Sequence, residues 1–236
     1  MGYDKEQASE EFARWSASYD RSILQWMLFG PSHRVLIKRI GAVAGRRPFR
    51  VLDVGCGTGQ FAGRIREALP QAQVWGVDLV SGMLAKGQPR WRRLAGQVLP
   101  VQGDSERLPF AAGSFDFVTC ANSFHHYPRQ DRAVVEMHRV LRPGGRLLII
   151  DGYRDAPWGW FIYDVCVAFR EGEVHHASAR RFRDLFARAG LQAVAQKVYR
   201  GPAPFLLSEG ISPESVPTIP APHFRVRDAL PSAVDA

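Results

Sequence analysis

The chain has 236 residues, of which 46% are hydrophobic and 23% charged, with 31 Lys and Arg against 23 Asp and Glu for a formal net charge of +8. That length suits one α/β domain with a substantial core, and no apolar run approaches the roughly 18 residues that a bilayer span requires. Cys56, Cys120 and Cys166 are too few and too scattered for a disulfide framework or a zinc cluster. With the acidic start at Asp4, Glu6 and Glu10, unlike a secretory leader, they point to a reducing cytoplasm.

Phe12, Trp15 and Tyr19 share one helical face, and Val35, Leu36, Ile40 and Val43 form another after Pro31. Residues 1–44 therefore read as a helical cap. From Phe49 to Lys197, strand-like runs alternate with helical periodicity, as βαβ units do. The predicted strands are 49–54, 73–78, 97–102, 115–121 and 146–151. The predicted helix faces are Phe61, Ile65 and Leu69; Val134, Met137 and Leu141; and Phe182, Leu185, Phe186 and Ala189. Two strands, in 191–200 and 203–210, end the domain assigned to residues 45–210. Prolines recur at 213, 217, 220, 222 and 231, so residues 211–236 read as a loose tail.

The segment VLDVGCGTGQF, residues 51–61, runs a buried-looking strand into Gly55, Gly57 and Gly59. Bare backbone between a strand and a helix suits a ligand at the carboxyl end of the sheet, with a dinucleotide and S-adenosylmethionine as the two candidates. The dinucleotide fingerprint needs glycine at position 60, where this chain has Gln60. Asp78 closes the next strand, where a carboxylate can accept two hydrogen bonds from a ribose diol, and this suits either cofactor.

DVGCGTG (53–59), VDLVSGML (77–84), GDSERLPFAAGSFDFV (103–118) and EMHRVLRPGGRLLIID (136–151) together resemble the class I S-adenosylmethionine-dependent methyltransferases. Within them the resemblance is to the methyltransferase type 11 group, which includes the ubiquinone and menaquinone C-methyltransferases. It implies a Rossmann-like doubly wound seven-stranded sheet, mainly parallel with an antiparallel last strand, and N-terminal accessory helices. It also implies S-adenosyl-L-methionine as cofactor and S-adenosyl-L-homocysteine as product. By the same resemblance, Asp53, Gly55, Gly57 and Gly59 face the methionine end and Asp78 the ribose. Leu79 and Met83 lie near the adenine, Asp104 and Ser105 at its amino group, Asn122 near the amino-acid part, and Tyr19 closes over the cofactor. Arg142 to Gly145 reads as a turn without chemistry.

Methyl transfer from a sulfonium is an in-line displacement that needs a base only when the acceptor must lose a proton. In ANSFHHYP (121–128), His125 and His126 are the base candidates. His175 and His176 form a second pair, but no HxxxH spacing marks a metal site and none is expected. An insertion near 155–176 puts Trp158, Ile162, Val165 and Phe169 on one helical face, either as subdomain core or as the wall of an acceptor pocket. The expected partner is a small or medium apolar or aromatic acceptor.

Three alternatives are an RNA or protein substrate, a non-catalytic cofactor-binding protein, and, for the positive charge, peripheral membrane contact. The Asn/Asp-Pro-Pro-aromatic segment that holds a flipped base is missing after the fourth strand, which speaks against nucleic acid. The basic residues, such as Arg46, Arg47 and Arg50, fall in short groups and read as a solvated surface.

Overall fold

The computed structural model describes residues 23–94, 96–167 and 174–214. The helix expected around Phe12, Trp15 and Tyr19 and the side chain of Phe169 lie outside the described residues. Seven strands form one sheet in the order β3-β2-β1-β4-β5-β7-β6. They are β1 (Phe49–Val54), β2 (Ala72–Asp78), β3 (Val98–Gln102), β4 (Phe115–Ala121), β5 (Leu141–Gly152), β6 (Gln192–Tyr199) and β7 (Phe205–Ile211). The first five run parallel, and β7 is antiparallel to both β5 and β6. This is the expected Rossmann-like arrangement.

Helices cover both faces because the parallel strands are apolar on both sides, and β4 buries six of its seven residues. On one face α1 (Ile23–Ala44), with Leu36 and Ile40 buried, lies over β4 and β5, and α2 (Gln60–Ala68), with Phe61 and Ile65 buried, lies over β2 and β3. On the other, α5 (Gln130–Arg139) brings Val134 and Met137 onto β5, and α7 (Ala179–Arg188) brings Phe182 and Phe186 over β6 and β7 and against α5. Two short helices, α3 (Ser81–Lys86) and α4 (Gln88–Arg93), lie between β2 and β3.

Four boundaries differ from expectation. Helix α1 continues through Pro31 instead of starting after it. The lost backbone hydrogen bond is tolerated where Leu36, Ile40 and Ala44 are buried against the sheet. Leu141 belongs to β5, since α5 ends at Arg139. Between the pairs Phe115–Leu141 and Phe117–Arg146 the register of β4 and β5 shifts, so the expected turn at Arg142 to Gly145 is an outward bulge of β5, with Gly144 at φ 72°. Ile211 closes β7 and Ser212 is buried, its N–H donating to the Gly145 carbonyl at 2.8 Å, so the ordered sheet reaches past the expected start of the tail.

Candidate functional site

Strand order reverses at β1, which has β2 on one side and β4 on the other. A cleft opens beyond the carboxyl ends of these strands, where doubly wound sheets bind ligands. The glycine loop forms its floor. Gly55 and Cys56 donate their N–H groups to the Val77 carbonyl at 2.8 and 3.1 Å, and Gly55, Gly57 and Gly59 all have positive φ. The three glycines do different work. A Cβ on Gly55 would strike the Ser123 hydroxyl and lie 2.6 Å from the Tyr127 hydroxyl, and one on Gly59 would enter the indole of Trp91. Gly55 and Gly57 both line the cleft, and an added Cβ on Gly57 would lie 3.2 Å from Met83 Cε. Gly59 is not among the lining residues; it makes room for Trp91 and opens α2 in the left-handed conformation.

Asp78 organises this rim. Its Oδ2 accepts from the Gly57 N–H at 2.7 Å and its Oδ1 from the Val80 N–H at 2.9 Å. Burial pushes its carboxyl up from the ordinary value, against the pull of those two donors. Asp53 is still more desolvated: burial raises it to about 8, opposed by the Thr119 hydroxyl 3.2 Å from Oδ1 and reinforced by Asp78. Two dehydrated carboxyls in one cleft would be favoured in their ionised form by a cationic ligand beside them.

Leu79, Val80 and Met83 line the side beneath β2 and β3, with Asp104 and Ser105 opposite. Asp104 is also a turn acceptor, taking the Glu106 N–H at 2.9 Å. On the β4 side the cleft is lined by Asn122, Ser123, His126, Tyr127 and Pro128, and from α1 by Phe29 and His33. Asn122 has φ 55° and donates its side-chain N–H to the Ser32 hydroxyl at 2.9 Å, tying β4 to α1. Burial lowers His33 to about 3, helped by Arg64.

The histidine pair divides. His126 lines the cleft, and burial, then the neighbouring His125, holds its pKa well below the ordinary range, so it is neutral. Of the two base candidates, His126 is among the residues lining this cleft and His125 is not. The His125 ring turns back to Asp151, with Nδ1 2.7 Å from Oδ1, and its N–H donates to Oδ2 at 2.9 Å. Burial opposes ionisation of Asp151, but His125 wins and holds it at about 2. Tyr19 lies outside the described residues.

Of the face expected in the insertion, Trp158 and Val165 are exposed, Ile162 is half-buried and Phe169 lies outside the described residues. Trp158 in α6 (Pro157–Trp160), and Phe161 and Val165 in the π-helical turn Phe161–Val167, are exposed and are not among the residues lining this cleft. The π spacing of residues 161–167 departs from the 3.6-residue period that put Ile162 and Val165 on the face of Trp158. Sequence reasoning also missed Phe29, His33, Phe61, Ser123 and Tyr127 as lining residues. Tyr127 sits inside ANSFHHYP and was legible there; Phe29 and His33 reach the cleft only through tertiary packing.

Residues 51–145 match the family described as "Methyltransferase domain". The chain is similar to the ubiquinone/menaquinone biosynthesis C-methyltransferase UbiE of Methylobacterium nodulans, 44% identical over 121 residues, covering 50% of this chain and 48% of that protein. The demethylmenaquinone methyltransferase of Deinococcus radiodurans is 37% identical over 150 residues, covering 63% and 61%. The matched stretch thus spans about half to three-fifths of these relatives' length. In fold the chain is similar to magnesium protoporphyrin IX methyltransferase of Synechocystis with bound SAH, at TM-score 0.70 and 18% identity over 88% of this chain and 99% of that one.

Proposed function

From a chain that carries a class I S-adenosylmethionine-dependent methyltransferase domain similar to UbiE, we propose an enzyme that methylates a small or medium apolar, aromatic acceptor of quinone or hydroquinone type. The observation that carries the cofactor assignment is the pair of desolvated carboxyls, Asp53 and Asp78, beside bare backbone at Gly57. S-adenosylmethionine bound there supplies an electrophilic methyl group on a sulfonium. Its positive charges favour the ionised form of the two acids. Asp78 retains acceptor capacity for the ribose hydroxyls, Asp104 and Ser105 for the adenine edge, and Met83 packs against the ring.

Phe29, His33, Phe61 and Tyr127 give the β4 and α1 side of the cleft an aromatic lining that excludes water from the transfer. His126, held neutral by burial, accepts a hydrogen bond from an acceptor hydroxyl. Such a depressed imidazole is a weak base, so orienting the acceptor is its main contribution. The names of the relatives support the quinone-type acceptor, as does the aromatic lining.

The test is transfer from methyl-labelled S-adenosylmethionine to prenylated benzoquinols and naphthoquinols. Label should partition into the organic phase at the acceptor's mass plus one methylene. Thermal stabilisation by S-adenosylhomocysteine with no transfer to any quinol would overturn the acceptor class and leave the cofactor site standing.

A further inference from the structure

Behind the cleft wall, three segments distant in sequence bring His125, Asp151 and His176 together. His125 comes from the 3₁₀ turn Phe124–His126 after β4, Asp151 from the end of β5, and His176 from the segment leading into α7. One potential ligand atom from each lies within 4.8 Å of the others. Donors with bonds of about 2.0–2.2 Å to one tetrahedral ion lie roughly 3.3–3.6 Å apart, so these three need only small side-chain adjustments to meet on a single cation. The three side chains are 8%, 3% and 1% exposed.

The hydrogen bonds satisfy only part of this cluster. His125 Nδ1 lies 2.7 Å from Asp151 Oδ1, and Asp151 also accepts from the N–H groups of His125 and Gly152. His176 is left out. Its ring stacks on His125 with centroids 4.3 Å apart, yet neither ring nitrogen has a hydrogen-bond partner. Its Nδ1 is 3.8 Å from Asp151 Oδ1, beyond a hydrogen bond but aimed at the same carboxylate. Leaving a buried nitrogen unpaired costs about 1–3 kcal/mol, and a core site that needed only packing would be served better by an aromatic ring.

We propose that His125, Asp151 and His176 bind one divalent transition-metal ion, zinc fitting best. Two imidazoles and one carboxylate favour zinc over calcium or magnesium, which prefer all-oxygen shells. The ion takes the lone pair of His125 Nδ1 in place of the hydrogen bond to Asp151, the proton of the neutral ring moving to Nε2, and it engages the orphaned His176. The His125 and Gly152 N–H groups remain on Asp151 as the outer contacts that orient a ligating carboxylate. With ligands on three separate segments, the site would clamp the stretch before α7 onto the ends of β4 and β5. It would also fix the turn that carries His126, one residue from His125, at the cleft wall.

Sequence spacing hid the cluster because a local motif such as HxxxH puts its ligands on one helix, and these three come together only in the fold.

The experiment is titration of the full chain, stripped with EDTA, by zinc against a chromophoric chelator and by cobalt(II) followed in the visible. One zinc per chain, and cobalt bands of a site with nitrogen and oxygen donors, are expected. His176→Phe keeps an aromatic ring without a donor and should weaken zinc at least tenfold, while His138→Ala, at a histidine on α5, should leave it unchanged. Zinc uptake below about a fifth of an ion per wild-type chain, or equal affinity in His176→Phe, would overturn the proposal. Should His176→Phe fail to fold, the wild-type cobalt spectrum and stoichiometry decide, because neither depends on a variant or on methyl transfer.

Discussion

The two sides of the cleft differ in how they are built. Beneath β1 and β2 the wall is local: Gly55, Gly57 and Asp78 are fixed by strand pairing and by hydrogen bonds that cross only the gap between adjacent strands. Toward β4 and α1 it is assembled from afar, with Asn122 held by Ser32 and His126 resting on a histidine anchored to Asp151. Backbone geometry dictates the first side and tertiary packing the second. The first should therefore fail sharply when one atom is added or removed, and the second should yield by degrees.

The hardest break is expected at Gly59→Ala. The added methyl enters the Trp91 indole at a residue with φ 76°, and the two penalties together should cost about 3 kcal/mol or more of folding stability. Chemical denaturation measures it, and Trp91→Leu in the same chain should restore part of the loss. Asp78→Ala removes the acceptor of two loop N–H groups and of the ribose, so S-adenosylhomocysteine affinity by calorimetry should fall about 100-fold. Unchanged affinity would remove Asp78 from the ribose site.

Asp53 gives a graded prediction with a definite sign. Its carboxyl is raised to about 8 in the ligand-free protein, and a bound cation favours the carboxylate. S-adenosylmethionine affinity should thus weaken as pH falls below 8, by up to about tenfold per unit, with proton release on binding visible as a dependence of calorimetric heat on the buffer. The free protein should show the opposite trend. A carboxyl whose folded pKa exceeds its unfolded one stabilises most below the unfolded value near 3.8, and that contribution is lost as pH rises through 8. Asp53→Asn should flatten both curves.

The smallest effect sharpens the contrast. Trp158 is 57% exposed, stacks on Phe161 and donates its indole N–H to the Pro202 carbonyl at 2.9 Å. Trp158→Ala should change stability by no more than about 1 kcal/mol and cofactor affinity not at all. A rise in acceptor KM alone would assign the segment to acceptor delivery.

The same division governs what could be read in advance. The five parallel strands, the glycine loop and Asp78 follow from runs of apolar residues, punctuating glycines and strand ends, all of which act over a few residues. The identity of Gly59's neighbour could not be read, because Trp91 arrives from α4 across β2. Nor could the separate fates of His125 and His126: adjacent residues in a 3₁₀ turn point to different sides of the wall, and only the position of Asp151 decides which turns inward. In the insertion, a 3.6-residue period does not describe residues 161–167, where the backbone takes a wider π turn that residue type and spacing do not announce.

Glu209, buried in β7, pairs with Arg146 of β5 and accepts from Arg39 of α1 at 2.7 Å. The helix that carries Phe29 and His33 to the cleft is thus moored to almost the last strand of the sheet. During synthesis on the ribosome, α1 emerges early but must wait for some 170 further residues before this mooring exists. A nascent chain stalled before β7 should therefore hold the glycine loop's sequence yet capture S-adenosylhomocysteine poorly, and gain that capacity only once β7 has emerged.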